Sequence, residues 1–275
     1  MINADINADG KVDKVDELLL TKYVKNNNDY PSTLPNEPIT DYVFYGDVNE
    51  DGTANHIDAA MIVSYVNDKL ALKSQQLKNA DANADGEVNK VDYHLIYGYY
   101  HNIFSAQLPD KPITDYILYG DLNNDGEITE EDATLLYNYL DTGIRKSDQA
   151  LKNSDVNGDG KVNIIDLGLL QMYIESPNNF PDFTEKNYSL PNRSISKEYY
   201  TIQYGDVNGD GKANMSDVTR IDNYIIKETT LTGQEILNAD VNGDGKIDDI
   251  DREILYNSIM GNNNCTLPSI APCTG

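Results

Sequence analysis

The chain has 275 residues, with 46 acidic against 21 basic side chains and a formal net charge of −25. Such a charge repels nucleic-acid phosphates and anionic membrane surfaces, and no stretch approaches the ~18 apolar residues that a membrane-spanning helix needs. With 39% hydrophobic residues, no Trp, 4 Phe and 20 Tyr, a string of small domains built on tyrosine and short aliphatics fits better than one deep core.

The acidity is not scattered. The pattern D-x-N-x-D-G-x5-D occurs seven times, with first aspartates Asp5, Asp47, Asp81, Asp121, Asp155, Asp206 and Asp240. Successive spacings are 42, 34, 40, 34, 51 and 34 residues. The constant 34 marks a paired unit and the variable gaps mark linkers. Flanks agree: the first loop of each pair follows Tyr45-Gly46, Tyr119-Gly120 or Tyr204-Gly205, and the second follows Asn79-Ala80, Asn153-Ser154 or Asn238-Ala239.

In chain order, residues 1–28 read as a half unit of the second type, because its loop follows Asn3-Ala4. Its ligand candidates are Asp5, Asn7, Asp9, Lys11, Asp13 and Asp16. After a linker at 29–44, the unit 45–106 offers Asp47, Asn49, Asp51, Thr53, Asn55 and Asp58, then Asp81, Asn83, Asp85, Glu87, Asn89 and Asp92. After a linker at 107–118, the unit 119–177 offers Asp121, Asn123, Asp125, Glu127, Thr129 and Asp132, then Asp155, Asn157, Asp159, Lys161, Asn163 and Asp166. A linker at 178–203 leads to the unit 204–262, with Asp206, Asn208, Asp210, Lys212, Asn214 and Asp217, then Asp240, Asn242, Asp244, Lys246, Asp248 and Asp251. Residues 263–275 form a tail.

This spacing suits calcium, a hard ion that takes six to eight oxygens. Loop positions 1, 3 and 5 supply Asp, Asn and Asp, and position 12 supplies an Asp able to bind through both oxygens. Position 7 offers its main-chain carbonyl, which is why Lys11 or Glu87 can stand there, and position 9 can hold a bridging water. Gly at position 6 allows the positive φ that turns the chain beneath the ion. Three carboxylates per loop repel one another without a cation. Seven divalent ions add fourteen positive charges and take the chain from −25 to −11. Magnesium keeps its waters and wants stricter octahedral geometry.

A packing frame surrounds the ligands. Positions 2 and 8 are apolar in every copy, Ile6 and Val12 or Val156 and Val162 for example, and position 8 of paired loops can form a short antiparallel bridge. After each final aspartate, apolar residues recur at +3, +4, +7 and +8, as in Leu19, Leu20, Tyr23 and Val24. That is the stripe of a helix. Tyr occupies +7 in six copies (Tyr23, Tyr65, Tyr99, Tyr139, Tyr173 and Tyr224), which reads as core or as a repeated binding face. Arg220 and Ser258 interrupt the stripe and predict looser packing in the last unit.

The linkers combine prolines with a β-prone run: Pro38-Ile39-Thr40-Asp41-Tyr42-Val43-Phe44 parallels Pro112-Ile113-Thr114-Asp115-Tyr116-Ile117-Leu118. Proline stiffens such connectors, and the β-prone run can pack back on its own unit or add to a neighbouring one. Cys265 and Cys273 stand close enough in sequence to close a small loop. Asn187, Asn192 and Asn264 are sequons. His56, His94 and His101 are scattered and read as surface or packing residues. No secretory leader is visible at Met1–Asp5.

The paired loops, each opening a helix, resemble type I dockerin repeats, most closely at Asp155–Asp166 and Asp206–Asp217. That resemblance implies a mainly α fold of two calcium loop–helix (F-hand) motifs related by near two-fold symmetry, with a short middle helix that segments 71–79, 145–153 and 231–239 would supply. It implies calcium as the cofactor, a cohesin-like domain as partner, and an extracellular, cellulosome-like setting. Cohesin-binding family members commonly carry Ser/Thr-type residues at loop positions 10 and 11. Here those positions are Lys14/Val15, His56/Ile57, Lys90/Val91, Glu130/Glu131, Ile164/Ile165, Met215/Ser216 and Asp249/Ile250.

Two functions follow as expectations: a calcium-stabilised poly-dockerin interaction array, or a structural stalk or self-assembling fibre. In the second, the half unit would bury Leu19, Leu20, Tyr23 and Val24 against another copy. An enzyme is not expected, because the regularly spaced carboxylates are all assigned to metal and no phosphate loop, nucleophile elbow, zinc motif or His-paired nucleophile accompanies them.

Overall fold

A computed structural model describes residues 4–26, 37–103, 108–109, 111–144, 147–177, 194–195, 197, 200–261 and 267. Cys265, Cys273 and the three sequons lie outside them. Among the described residues the chain is helical, without strands or bridges, so position 8 forms no bridge between paired loops. The helices are α1 (Lys14–Asn26), α2 (His56–Val66), α3 (Ser74–Ala80), α4 (Lys90–Tyr100), α5 (Glu130–Thr142), α6 (Asp148–Asn153), α7 (Ile164–Glu175), α8 (Met215–Ile225), α9 (Gln234–Ala239) and α10 (Asp249–Ile259). None is long and apolar enough to cross a membrane.

Each loop runs straight into its helix. The residue at position 9 is the N-cap, and with the position-12 aspartate it forms a reciprocal capping box in α2, α4, α5, α7, α8 and α10. The same aspartate is thus a ligand candidate and the N3 residue of the helix. From that fixed start the stripe faces inward, and Ile62, Ile96, Leu136, Leu170, Ile221 and Leu255 at +4 are all buried. The +7 tyrosines are half-buried, the snorkelling arrangement of ring inside and hydroxyl near water.

Paired helices pack on each other as α2 with α4, α5 with α7, and α8 with α10. The short helices α3, α6 and α9 lie between them in sequence. Each carries, in its last two residues, a buried asparagine that makes the same four bonds in all three units. Asn79, Asn153 and Asn238 donate Nδ2–H to the carbonyls of Asp47, Asp121 and Asp206 at 2.7, 2.6 and 2.6 Å. Their Oδ1 accepts from the entering chain, at the N–H of Phe44, Leu118 and Gln203. It also accepts a glutamine amide one turn earlier, from Gln75, Gln149 and Gln234. Their own carbonyls accept Gly46, Gly120 and Gly205 N–H.

The chain divides into two compact units, Met1–Tyr116 and Ile117–Gly275. In the first, the half unit does not present a bare face: Ile6, Val15 and Leu19 share a core with Phe44, covered by Ile39 and Tyr42 from the linker. Leu20, Tyr23 and Val24 are only partly covered. In the second, two loop pairs share one core, running from Leu122 and Leu136 through Leu169 and Leu170 to Ile221, Ile236 and Leu255. Helix α7 packs on α9. Gly168 makes this possible, since a Cβ there would stand 3.0 Å from the Gly233 carbonyl oxygen and 3.1 Å from Ile236. The Gly233 N–H donates to Gln171 Oε1 at 2.9 Å.

The last pair is no looser than the others. Arg220, which interrupts its stripe, holds Glu235 through Nε and Nη2 at 3.0 and 2.6 Å and Thr229 Oγ1 at 3.3 Å, tying α8 to α9.

Candidate metal centres

Each loop is a ring of oxygens organised by main-chain N–H groups. In all seven, position-3 Asn Oδ1 accepts the N–H of position 5, as in Asp51 to Asn49 at 2.9 Å, and position-5 Oδ1 accepts the N–H of position 7, as in Lys161 to Asp159 at 2.9 Å. Position-12 Oδ2 accepts the N–H of position 9 and Oδ1 accepts from position 2 or 3, as in Asn89 and Ala82 to Asp92 at 2.9 and 2.7 Å. Position-1 Oδ2 accepts the position-6 glycine, as in Gly126 to Asp121 at 2.9 Å. Both oxygens of each position-12 aspartate and Oδ2 of each position-1 aspartate are therefore held by loop N–H groups.

Two residues per loop, not one, take positive φ. Beside the glycine at position 6, position 4 is left-handed throughout: Ala8, Glu50, Ala84, Asn124, Gly158, Gly209 and Gly243 lie between φ 59 and 71. The glycine in three copies and asparagine in a fourth are the sequence signal for this.

The end aspartates are buried. All seven at position 12 are, together with Asp47, Asp121, Asp206 and Asp240 at position 1, while Asp5, Asp81 and Asp155 are half-buried. Ion pairs among the described residues involve Lys14, Lys78, Arg220, Lys227 and Arg252, and none uses an end aspartate. Burial, first, and then the neighbouring loop carboxylates push Asp47, Asp92, Asp121, Asp166 and Asp251 up to about 7, against the lowering effect of their N–H bonds. Asp58, Asp81, Asp132 and Asp240 are raised for the same reasons. Asp206 Oδ1 is buried without any hydrogen-bond partner.

Such uncompensated carboxylates are costly in low dielectric unless a cation answers them. The donor set fits calcium: oxygen only, mixing carboxylate, amide and main-chain carbonyl. Among the described residues no three Asp, Glu, His or Cys side chains already converge as a metal cluster. The ring of each loop depends on the amide and the carbonyl as well.

A family model described as the dockerin type I domain matches residues 45–99, 119–175 and 204–260. The chain belongs to the type I dockerin family. Dockerins are calcium-binding assembly modules rather than catalytic ones, and they bind cohesin domains. No curated protein matches the chain. The three matches each cover one pair of loops, and the loop that starts at Asp5 lies ahead of the first.

Proposed function

We propose that the chain is an extracellular, calcium-stabilised dockerin array that gathers protein partners. Seven calcium ions would be held by the side chains at positions 1, 3, 5 and 12 of each loop and the carbonyl at position 7. The position-9 side chain caps the helix. The half unit over 1–28 supplies the first ion, and the three dockerins over 45–106, 119–177 and 204–262 supply two each. The observation that carries this reading is the recurrence, loop after loop, of buried end aspartates that form no ion pair among the described residues, down to the orphaned Asp206 Oδ1. With calcium bound, those carboxylates are ionised and compensated, and folding is coupled to binding.

The partner expected from the family is a cohesin-type domain, and titration calorimetry with a type I cohesin domain tests this in millimolar calcium and in chelator. Binding that requires calcium supports docking. No binding in calcium, by a chain that circular dichroism shows to be folded, overturns it.

A second reading, a calcium-rigidified structural element, is favoured by one observation. The last two dockerins share a core rather than hanging as separate beads. Light scattering and electron microscopy separate the readings: ordered polymers that dissolve in chelator support the structural one, and a monomer at high concentration removes self-assembly.

A further inference from the structure

We infer that the chain's own linkers are the resident occupants of the second-loop faces, so that the first two dockerins dock partners through their first-loop helices α2 and α5. This rests on the docking reading above. Three linkers make the same contact with the loop before them. The N–H groups of Ile39, Ile113 and Ile195 donate to the position-2 carbonyls of Ile6, Ala82 and Val156 at 2.9, 2.8 and 2.8 Å. The hydroxyls of Tyr42 and Tyr116 accept Nδ2–H of the position-3 asparagines Asn7 and Asn83 at 3.3 and 3.4 Å. In the third linker, Tyr200 packs against the core that holds Ile195 and Val156.

The strap thereby reaches the start of the following helix, where positions 10 and 11 stand. Val15 is 2% exposed and shares its core with Ile39, Tyr42 and Phe44. Val91 is 0% exposed, and Ile165 packs in the same core as Ile195 and Tyr200. First-loop helices begin bare: Ile57 is 49% and Met215 45% exposed, and Glu130, Glu131 and Ser216 are exposed as well. Ile250, at the same position in the last loop, is 43% exposed among the described residues. Position 11 is thus covered in the three loops against which a strap is described and bare in α2 and α8, while position 10 keeps Lys14 exposed beside its strap. The bare faces also differ in chemistry. Helix α5 offers Glu130 and Glu131, which call for a basic partner surface, whereas α2 offers His56 and Ile57 and α8 offers Met215 and Ser216.

Maleimide labelling of the full chain in saturating calcium tests this, with Cys265→Ser and Cys273→Ser as background. The Val91→Cys chain is expected to react roughly 100-fold more slowly than the Ile57→Cys chain, as a site that must open first. Adding Ile113→Asp and Tyr116→Phe should recover about tenfold or more of the rate at unchanged helix content. Equal rates for Val91→Cys and Ile57→Cys overturn the inference, and Val15→Cys against the same reference gives the answer if Val91→Cys fails to fold. A type I cohesin domain then reads the faces directly. Charge changes at Ile57, Glu131, Ser216 and Ile250 together should abolish its binding, while Lys90→Glu should not. The reverse outcome overturns the inference and keeps docking. Absence of cohesin binding to every chain overturns docking and leaves the thiol rates to decide the strap.

Discussion

Single residues in this chain carry more than one task, and that is where the loops are most exposed to substitution. The position-12 aspartate is a ligand candidate, an acceptor for loop N–H groups and the N3 member of a capping box. The capping role was legible as Asn/Thr/Asp-x-x-Asp ahead of each stripe, yet ligand spacing alone hides it. The left-handed residue at position 4 was legible only where it is glycine. Ala84 at φ 60 bears a strain that glycine does not. Ala84→Gly should stabilise the calcium-loaded chain by roughly 0.5–1 kcal/mol in urea unfolding, and Gly209→Ala should do the opposite. Asn153 appeared in sequence merely as a flank of the second loop. Its bonds to Asp121 and Leu118 are buried and span more than 30 residues, so composition and period say nothing about them. Asn153→Ala leaves a buried carbonyl and N–H unpaired and should cost roughly 2–3 kcal/mol in the same measurement.

At the scale of elements, the helices were legible because a fixed loop sets the phase of a 3.6-residue stripe, so +4 is buried in all three dockerins. The middle helices fall where expected, α6 and α9 within 145–153 and 231–239 and α3 running one residue past 71–79 to Ala80. What the sequence did not display is the way elements meet across linkers. The straps bind through main-chain N–H groups that every non-proline residue possesses, and the packing of α7 on α9 depends on the absence of a side chain at Gly168. In an isolated helix Gly168→Ala would add stability. Here the added Cβ meets the Gly233 carbonyl oxygen at 3.0 Å. Gly168→Leu should therefore separate α7 from α9. Hydrogen exchange should show faster exchange in Gln234–Ala239 while α5 and its loop keep their protection, and unchanged exchange in α9 would remove the packing argument.

Over the whole molecule, a net charge of −25 and buried end aspartates set opposite pH responses with and without calcium. In the metal-free fold, Asp47, Asp92, Asp121, Asp166 and Asp251 sit at about 7 rather than the ordinary 3.8. A raised carboxyl favours the fold when protonated, so this contribution is complete below about 4 and is lost as pH rises through about 7. In chelator, helix content should accordingly increase on acidification from pH 7.5 toward pH 4.5. Calcium requires the ionised form, so its affinity should fall over the same interval. A calcium-free helix signal that declines on acidification would contradict the burial of these carboxylates.

The central claim is that calcium, held in the loops, is what the fold is built around. Native mass spectrometry of the purified chain in millimolar calcium, with circular dichroism before and after chelator at pH 7.5, tests it most directly. The account predicts seven retained calcium ions on the 30.7 kDa chain and loss of most helix signal when they are stripped. A chain that retains no calcium, or one that keeps its full helix content in excess chelator, would contradict it.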